Sequence, residues 1–174
     1  MTMGTGRVLT GVGLAAVFAA VVVALLANTS NPPSGQSAPP GLRVPQALAG
    51  TPITSTLRGP AALAEVSRLH GKAIAAGDAV VARYQDGTTL WVSASSSALE
   101  ASRLLWRMNR RMANGTKVFG APRPQELRGR TVFITEGLGQ VHYYYQSGTR
   151  VLWLAVPPGP HTGAAIEALL ALYP

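Results

Sequence analysis

Hydrophobic and polar positions repeat with two different periods over residues 61–174, and the two periods predict a mixed α and β domain. Apolar residues at helical spacing between start and stop signals predict three helices, over residues 61–70, 97–113 and 162–173. Alternation of apolar and polar residues predicts strands over residues 78–84, 88–94, 130–136, 141–146 and 150–156, with 124–128 as an additional edge strand. This order predicts an α+β fold with one antiparallel sheet of about five strands and helices packed on a face.

The middle helix carries the strongest local signals. Ser97 and Glu100 have the spacing of a capping box, in which the serine hydroxyl accepts from the backbone N–H of the glutamate. The apolar residues of this helix fall on one face, and its other face carries Arg103, Arg107, Arg110 and Arg111. Such a basic face indicates binding of anionic headgroups or polymers, whereas the simpler alternative is a solvated surface.

Residues 8–27 are apolar and carry no charge, which predicts a transmembrane helix. A helix of this length spans roughly 30 Å, the thickness of the hydrocarbon core of a bilayer. A cleaved signal peptide is the alternative, but its apolar stretch is usually about 7–15 residues long. Arg7 is the only residue with a charged side chain before the run. The positive-inside rule therefore predicts a single-pass cell-membrane protein whose N-terminus is cytoplasmic and whose domain is extracytoplasmic.

Residues 28–60 contain seven prolines and four glycines, a composition typical of a spacer without regular structure. The sequence therefore predicts three parts: a membrane anchor over residues 1–27, a linker over 28–60 and an α+β domain over 61–174.

The net charge of +8 favours anionic neighbours, because 15 lysines and arginines face only 7 acidic residues. The absence of cysteine excludes disulfides, thiolate metal sites and cysteine nucleophiles. His70, His142 and His161 lack metal-ligand spacing, and we find no paired carboxylates suited to acid–base catalysis. The sequence thus predicts no catalytic residue, no metal and no cofactor.

The strand phases separate a core face from a face rich in aromatic residues. The core phase contains small and branched apolar residues such as Val80, Val92 and Leu152. The opposite phase carries the candidate partner-binding residues Arg83, Trp91, Phe133, His142, Tyr144 and Trp153. Aromatic residues beside arginine are typical of binding surfaces. The alternatives are cover by the first helix, an interface with a second copy, or a small-ligand site.

Several strings resemble a group of uncharacterised bacterial exported or membrane-anchored α+β domains. They are Leu69-His70-Gly71, Thr89-Leu90-Trp91-Val92, Gly139-Gln140-Val141-His142-Tyr143-Tyr144-Tyr145, Ser147-Gly148, Val151-Leu152-Trp153-Leu154-Ala155-Val156 and Tyr173-Pro174. The resemblance covers about residues 61–174. It implies an extracytoplasmic bacterial setting and assigns no site residue.

Three functions follow from these observations as hypotheses. The first is a membrane-tethered, non-enzymatic accessory domain that binds a partner protein or a second copy of itself, for example as a subunit of a membrane complex. The second is a binder of anionic lipids, surfaces or polymers through the arginine-rich helix, without specific recognition of nucleic acid. The third is a hydrolase of unknown type.

Overall fold

An eight-stranded antiparallel sheet occupies the centre of the computed structural model, which describes residues 42–70 and 76–174. The strands are β1 (Ala47–Leu48), β2 (Thr51–Arg58), β3 (Asp78–Tyr84), β4 (Thr89–Ala94), β5 (Arg123–Leu127), β6 (Arg130–Gly137), β7 (Gln140–Ser147) and β8 (Arg150–Val156). The helices within the described residues are α1 (Gly59–His70), α2 (Ala98–Met112) and α3 (Thr162–Leu172).

The strands lie in the order β1-β2-β3-β4-β8-β7-β6-β5. Short turns join β1 to β2, β3 to β4, and the strands from β5 to β8 in succession, whereas α1 stands in the chain between β2 and β3. β8 returns to lie beside β4. Two-residue turns at Ala49-Gly50 and Leu138-Gly139 hold both residues at positive φ. Such turns match the right-handed twist of the paired strands, so these hairpins close without splaying.

Each face of the sheet is covered by different elements. On one face, Val80, Val92 and Leu152 lie in a buried cluster with residues of α3. On the other face, Ala62 and Val66 of α1 pack on Ala79 and Val81. The apolar side of α2 packs on Val151 of the same face through Ala101 and Leu104. The predicted α+β character is confirmed, with helices on both faces instead of one.

The local signals around α2 are confirmed. Ser97 precedes the helix in an extended conformation, and its side chain accepts a hydrogen bond of 3.2 Å from the backbone N–H of Glu100. The first turn of α2 therefore begins where the capping box predicts.

The predicted number of about five strands is wrong, because the described sheet has eight. Both β1 and β2 fall within the predicted linker, residues 28–60, which is corrected over residues 42–60. Leu42, Val44 and Leu48 are buried in the same cluster as α3. The many prolines of this segment favoured a linker, although β2 contains several β-branched residues and pairs along β3.

The predicted transmembrane helix, residues 8–27, lies outside the described residues. Among the residues that the structure describes, no helix is both long enough and apolar enough to cross a bilayer. The predicted fold class of a spanning helix followed by about five strands is therefore replaced by an eight-stranded antiparallel sheet between helices.

Replacing Leu48 with alanine tests whether residues 42–48 belong to the folded domain. Leu48 is 2% exposed, so the loss of its buried side chain should lower the free energy of unfolding by about 2–5 kcal/mol. Leu138→Ala is the matched control, because Leu138 is 63% exposed and its loss should change little. Urea denaturation of the two variants measures the difference, and equal stabilities would show that Leu48 is not part of the core.

Candidate binding surface on helix α2

The aromatic residues of the non-core strand phase form one row across the sheet. Phe133, Tyr144, Trp153 and Trp91 are successive register partners on β6, β7, β8 and β4. The rings of Phe133 and Tyr144 stack with centroids 5.4 Å apart, and those of Tyr144 and Trp153 with centroids 4.7 Å apart. The structure thus brings together the aromatic residues that the sequence placed on one face.

This row is buried at Tyr144 and half-buried at Trp91, Phe133 and Trp153. Tyr144 is fully buried, and its hydroxyl donates a 2.7 Å hydrogen bond to Oδ1 of Asn109 on α2. Burial raises the pKa of Tyr144 well above its ordinary value. The ring of Phe119, in the loop 113–122, lies 5.7 Å from that of Trp153. The first helix, α1, packs on this face at Trp91, and α2 covers it at Tyr144.

Arg83 and Trp91 are held by a carboxylate that sequence reasoning did not single out. Both oxygens of Glu65 on α1 accept hydrogen bonds from Arg83, at 2.7 and 2.8 Å. The indole N–H of Trp91 donates to the same carboxylate at 3.2 Å. Glu65 is only 7% exposed, so these bonds compensate the burial of its charge. Three elements supply this cluster, and no spacing along the chain signals it.

His142 is buried, and both of its ring nitrogens are bonded. The indole N–H of Trp153 can only donate, so Nδ1 of His142 is the acceptor of their 3.0 Å bond. The proton therefore lies on Nε2, which donates to the carbonyl of Gly137 at 2.9 Å. Burial lowers the pKa of His142 below its ordinary value. In this state His142 is neutral, and both of its ring nitrogens form hydrogen bonds within the domain.

A glycine lets the loop 113–122 settle against this histidine. A Cβ atom at Gly137 would lie 2.4 Å from Cδ1 of Phe119, so any larger residue would displace the ring. The Phe119 ring stands edge-on to His142, with centroids 4.9 Å apart. Thr135 adds a 2.7 Å hydrogen bond to the carbonyl of Gly120. The loop that follows α2 is thus fixed to the sheet.

The outer face of α2 differs from the covered sheet face because its large side chains are exposed. Trp106 is 58% exposed and Leu99 is 59% exposed. The four arginines of the predicted basic face are exposed as well: Arg103, Arg107, Arg110 and Arg111. With 3.6 residues per turn, Leu99, Arg103, Trp106 and Arg110 lie within an arc of about 60° on the side opposite the buried residues.

Arginine dominates the charge of this surface. The guanidinium of Arg110 lies 5.2 Å from the centroid of the Trp106 ring, a cation–π contact. Arg103 pairs with Glu100 at 2.6 Å. Among the described residues, the side chains of Arg107 and Arg111 have no ion pair or hydrogen bond. The acids on α1 and α2 are Glu65 and Glu100, and both are paired with arginine.

The sequence indicated the arginines of this surface but not its apolar residues. Leu99 and Trp106 were not singled out, although both fall on the arginine side of a helical projection. That displacement from the apolar face was the available signal. The exposed surface of α2, with Leu99, Trp106 and the four arginines, is the candidate binding surface.

A cleft of about 360 Å³ lies elsewhere, between α3 and the turn that joins β5 to β6. Its basic residues are Arg128, which pairs with Glu167, and Arg130, which donates to the carbonyl of Gln146 at 2.8 Å. The arginines of this cleft are therefore engaged within the domain.

Within residues 42–70 and 76–174, no three His, Asp or Glu side chains are grouped closely enough to hold a metal ion.

Protonation of His142 should destabilise the folded domain at low pH. The folded pKa lies below the ordinary value of 6.5, so between the two values the unfolded chain binds more protons. The contribution of His142 is therefore complete above about pH 6.5 and is lost as the pH falls through the folded pKa, by up to about 1.4 kcal/mol per pH unit. Urea denaturation near neutral pH and near pH 5 measures the loss.

His142→Gln should reduce this pH dependence, whereas His161→Gln should leave it unchanged, because His161 is exposed. A wild-type pH dependence that His142→Gln does not reduce would contradict the assignment of the effect to this histidine.

Removing the carboxylate of Glu65 should destabilise the domain by leaving Arg83 and the Trp91 N–H without an acceptor. We expect Glu65→Ala to cost about 1–3 kcal/mol, since Arg83 keeps some contact with water. Glu136→Ala is the control, because its pair with Arg123 is exposed and should contribute about 0–1 kcal/mol. Thermal and urea unfolding compare the two variants, and similar losses in both would show that the buried cluster contributes no more than a surface pair.

Comparison with known proteins gives no indication of the function of this chain. The resemblance to bacterial exported or anchored domains stays a prediction. No family model matches the chain, and neither a curated protein nor a solved structure matches it significantly.

Proposed function

We propose that this protein is a non-enzymatic binding domain that takes an anionic partner through the candidate binding surface on α2. The observation that carries the proposal is the exposure of Trp106 among four arginines on one helix face. Tryptophan and arginine are the residue types most enriched where binding energy concentrates. A solvated face needs charge, and it gains from an exposed indole only the contact of Trp106 with Arg110.

The charge of the surface supports an anionic partner. Guanidinium groups present planar arrays of donors that match phosphate and carboxylate oxygens. Arg107 and Arg111 keep these donors available, since no described residue occupies them. The net charge of +8 adds long-range attraction for the same class of partner.

The hypothesis that a partner protein binds the aromatic row has less support than exposure of that row would have given it. Tyr144 and His142 are buried, and Arg83 and Trp91 are bonded to Glu65. A protein partner would therefore bind at α2 and would need an acidic surface. Two copies of the chain would meet there with like charges, which disfavours self-association through this face.

An extracytoplasmic location at the cell membrane forms part of the proposal. It is supported by the uncharged apolar run of residues 8–27 and by the sequence resemblance described above. Phospholipid headgroups and anionic polymers carry phosphate or carboxylate groups, which match the donors of the arginines.

Removing two of the arginines tests the proposal. Arg107→Gln combined with Arg110→Gln should weaken binding to the polyanion heparin about tenfold or more at low salt, because two charge contacts are lost. The slope of log affinity against log salt should fall by about two, one unit for each arginine. Fluorescence titration at several salt concentrations measures both changes.

Arg43→Gln combined with Arg123→Gln is the matched control, because both arginines are exposed and the net charge changes equally. Equal weakening in the two double variants would overturn the proposal by showing that any arginine of the surface contributes alike.

A further inference from the structure

We propose that the anionic partner is the surface of a lipid bilayer, with Trp106 and Leu99 inserted among the headgroups and the arginines placed on phosphates. This inference rests on the function proposed above and names the class of its partner. The geometry of the candidate binding surface carries it.

Leu99 and Trp106 project in nearly the same direction. They are seven residues apart, which separates them by two turns, about 10 Å along the helix axis, and by about 20° around it. If α2 lies parallel to a plane, both side chains reach the same depth beyond it. Tryptophan settles at the headgroup level of bilayers, because its ring is apolar and its N–H is polar.

The arginines adjoin these two side chains on one side of the helix. Arg103 and Arg110 lie in the same arc as Leu99 and Trp106, and Arg107 and Arg111 lie about 40° and about 80° beyond its edge, both on the same side. Their aliphatic stems can cover apolar surface while the guanidiniums remain among the phosphates. The surface thus has an apolar strip with an adjoining basic strip, the two parts of a helix that binds in the plane of a membrane.

The helix is fixed before it meets a membrane. Asn109 accepts the hydrogen bond from Tyr144, and Ser102 donates to Gln146 of β7 at 2.9 Å. Ala101 and Leu104 are packed on the sheet. A free amphipathic peptide must become ordered when it binds, whereas this surface is already in its binding conformation.

The described part of the neighbouring helix presents no unpaired acidic side chain to a headgroup layer. On α1, which lies on the same face of the sheet, the exposed side chains over residues 59–68 are those of Pro60, Ala61, Ala64 and Arg68. Glu65 is buried and paired, so no free carboxylate of the described part of α1 would meet the headgroups. A soluble polyanion would use the arginines, but it offers no apolar layer for Leu99 and Trp106, and this difference favours the bilayer.

Fluorescence quenching by lipids that carry bromine on their acyl chains tests the inference in the full chain. Vesicles of brominated phosphatidylcholine, alone or mixed equally with phosphatidylglycerol, are compared. With the anionic vesicles, emission should lose the share of Trp106, about one third if the three tryptophans emit equally. Trp106→Phe and the Arg107→Gln, Arg110→Gln double variant should both abolish this loss, and neutral vesicles should cause none.

Leu138→Ser is the control, because it removes an exposed apolar side chain away from α2 and should leave the quenching unchanged. Absence of quenching in the wild type, or the same quenching in Trp106→Phe, would overturn the lipid inference. If heparin binding still depended on Arg107 and Arg110 in that case, the proposed function would stand with a soluble polyanion or an acidic protein as the partner. Loss of both dependences would overturn the two proposals together.

Discussion

The pairing of β4 with β8 is the constraint on which the rest of the structure depends. It joins the hairpins formed before residue 95 to the meander formed after residue 122, and it is the junction at which the sheet order departs from chain order. Because Trp91 and Trp153 are register partners there, the aromatic row continues from one half of the sheet into the other. The chain between the halves crosses the sheet on the face of that row, where α2 packs on Val151 and Asn109 accepts a hydrogen bond from Tyr144. The outer face of α2 is thereby turned toward solvent.

The parts of the fold that local chemistry determines could be predicted from the sequence. The Ser97–Glu100 pair defines the start of α2, and period-two patterns give β3, β4 and the last three strands to within a residue or two. β2 could not be recognised, because Pro52 and its flanking prolines indicate a linker, whereas β2 is stabilised by its pairing with β3. The contact of β4 with β8 connects distant residues, and no local pattern signals it.

The candidate site also has parts that local spacing predicted and parts that only the tertiary structure reveals. Helical spacing was enough to collect the arginines on one face of α2, and strand phase was enough to align Phe133, Tyr144 and Trp153. Phase shows which residues share a face but not what covers that face, so the burial of Tyr144 beneath Asn109 required the structure. The cluster around Glu65 combines side chains of α1, β3 and β4, and only the tertiary fold brings them together.

The two outermost strands have a consequence for how molecules of this protein meet one another. β1 has only two residues, and β5 carries Pro124, which lacks a backbone N–H, together with the charged Arg123. Short or proline-containing borders are poor templates for adding a strand from another chain. At these two strands the sheet therefore offers few backbone groups to which a strand of another copy could pair.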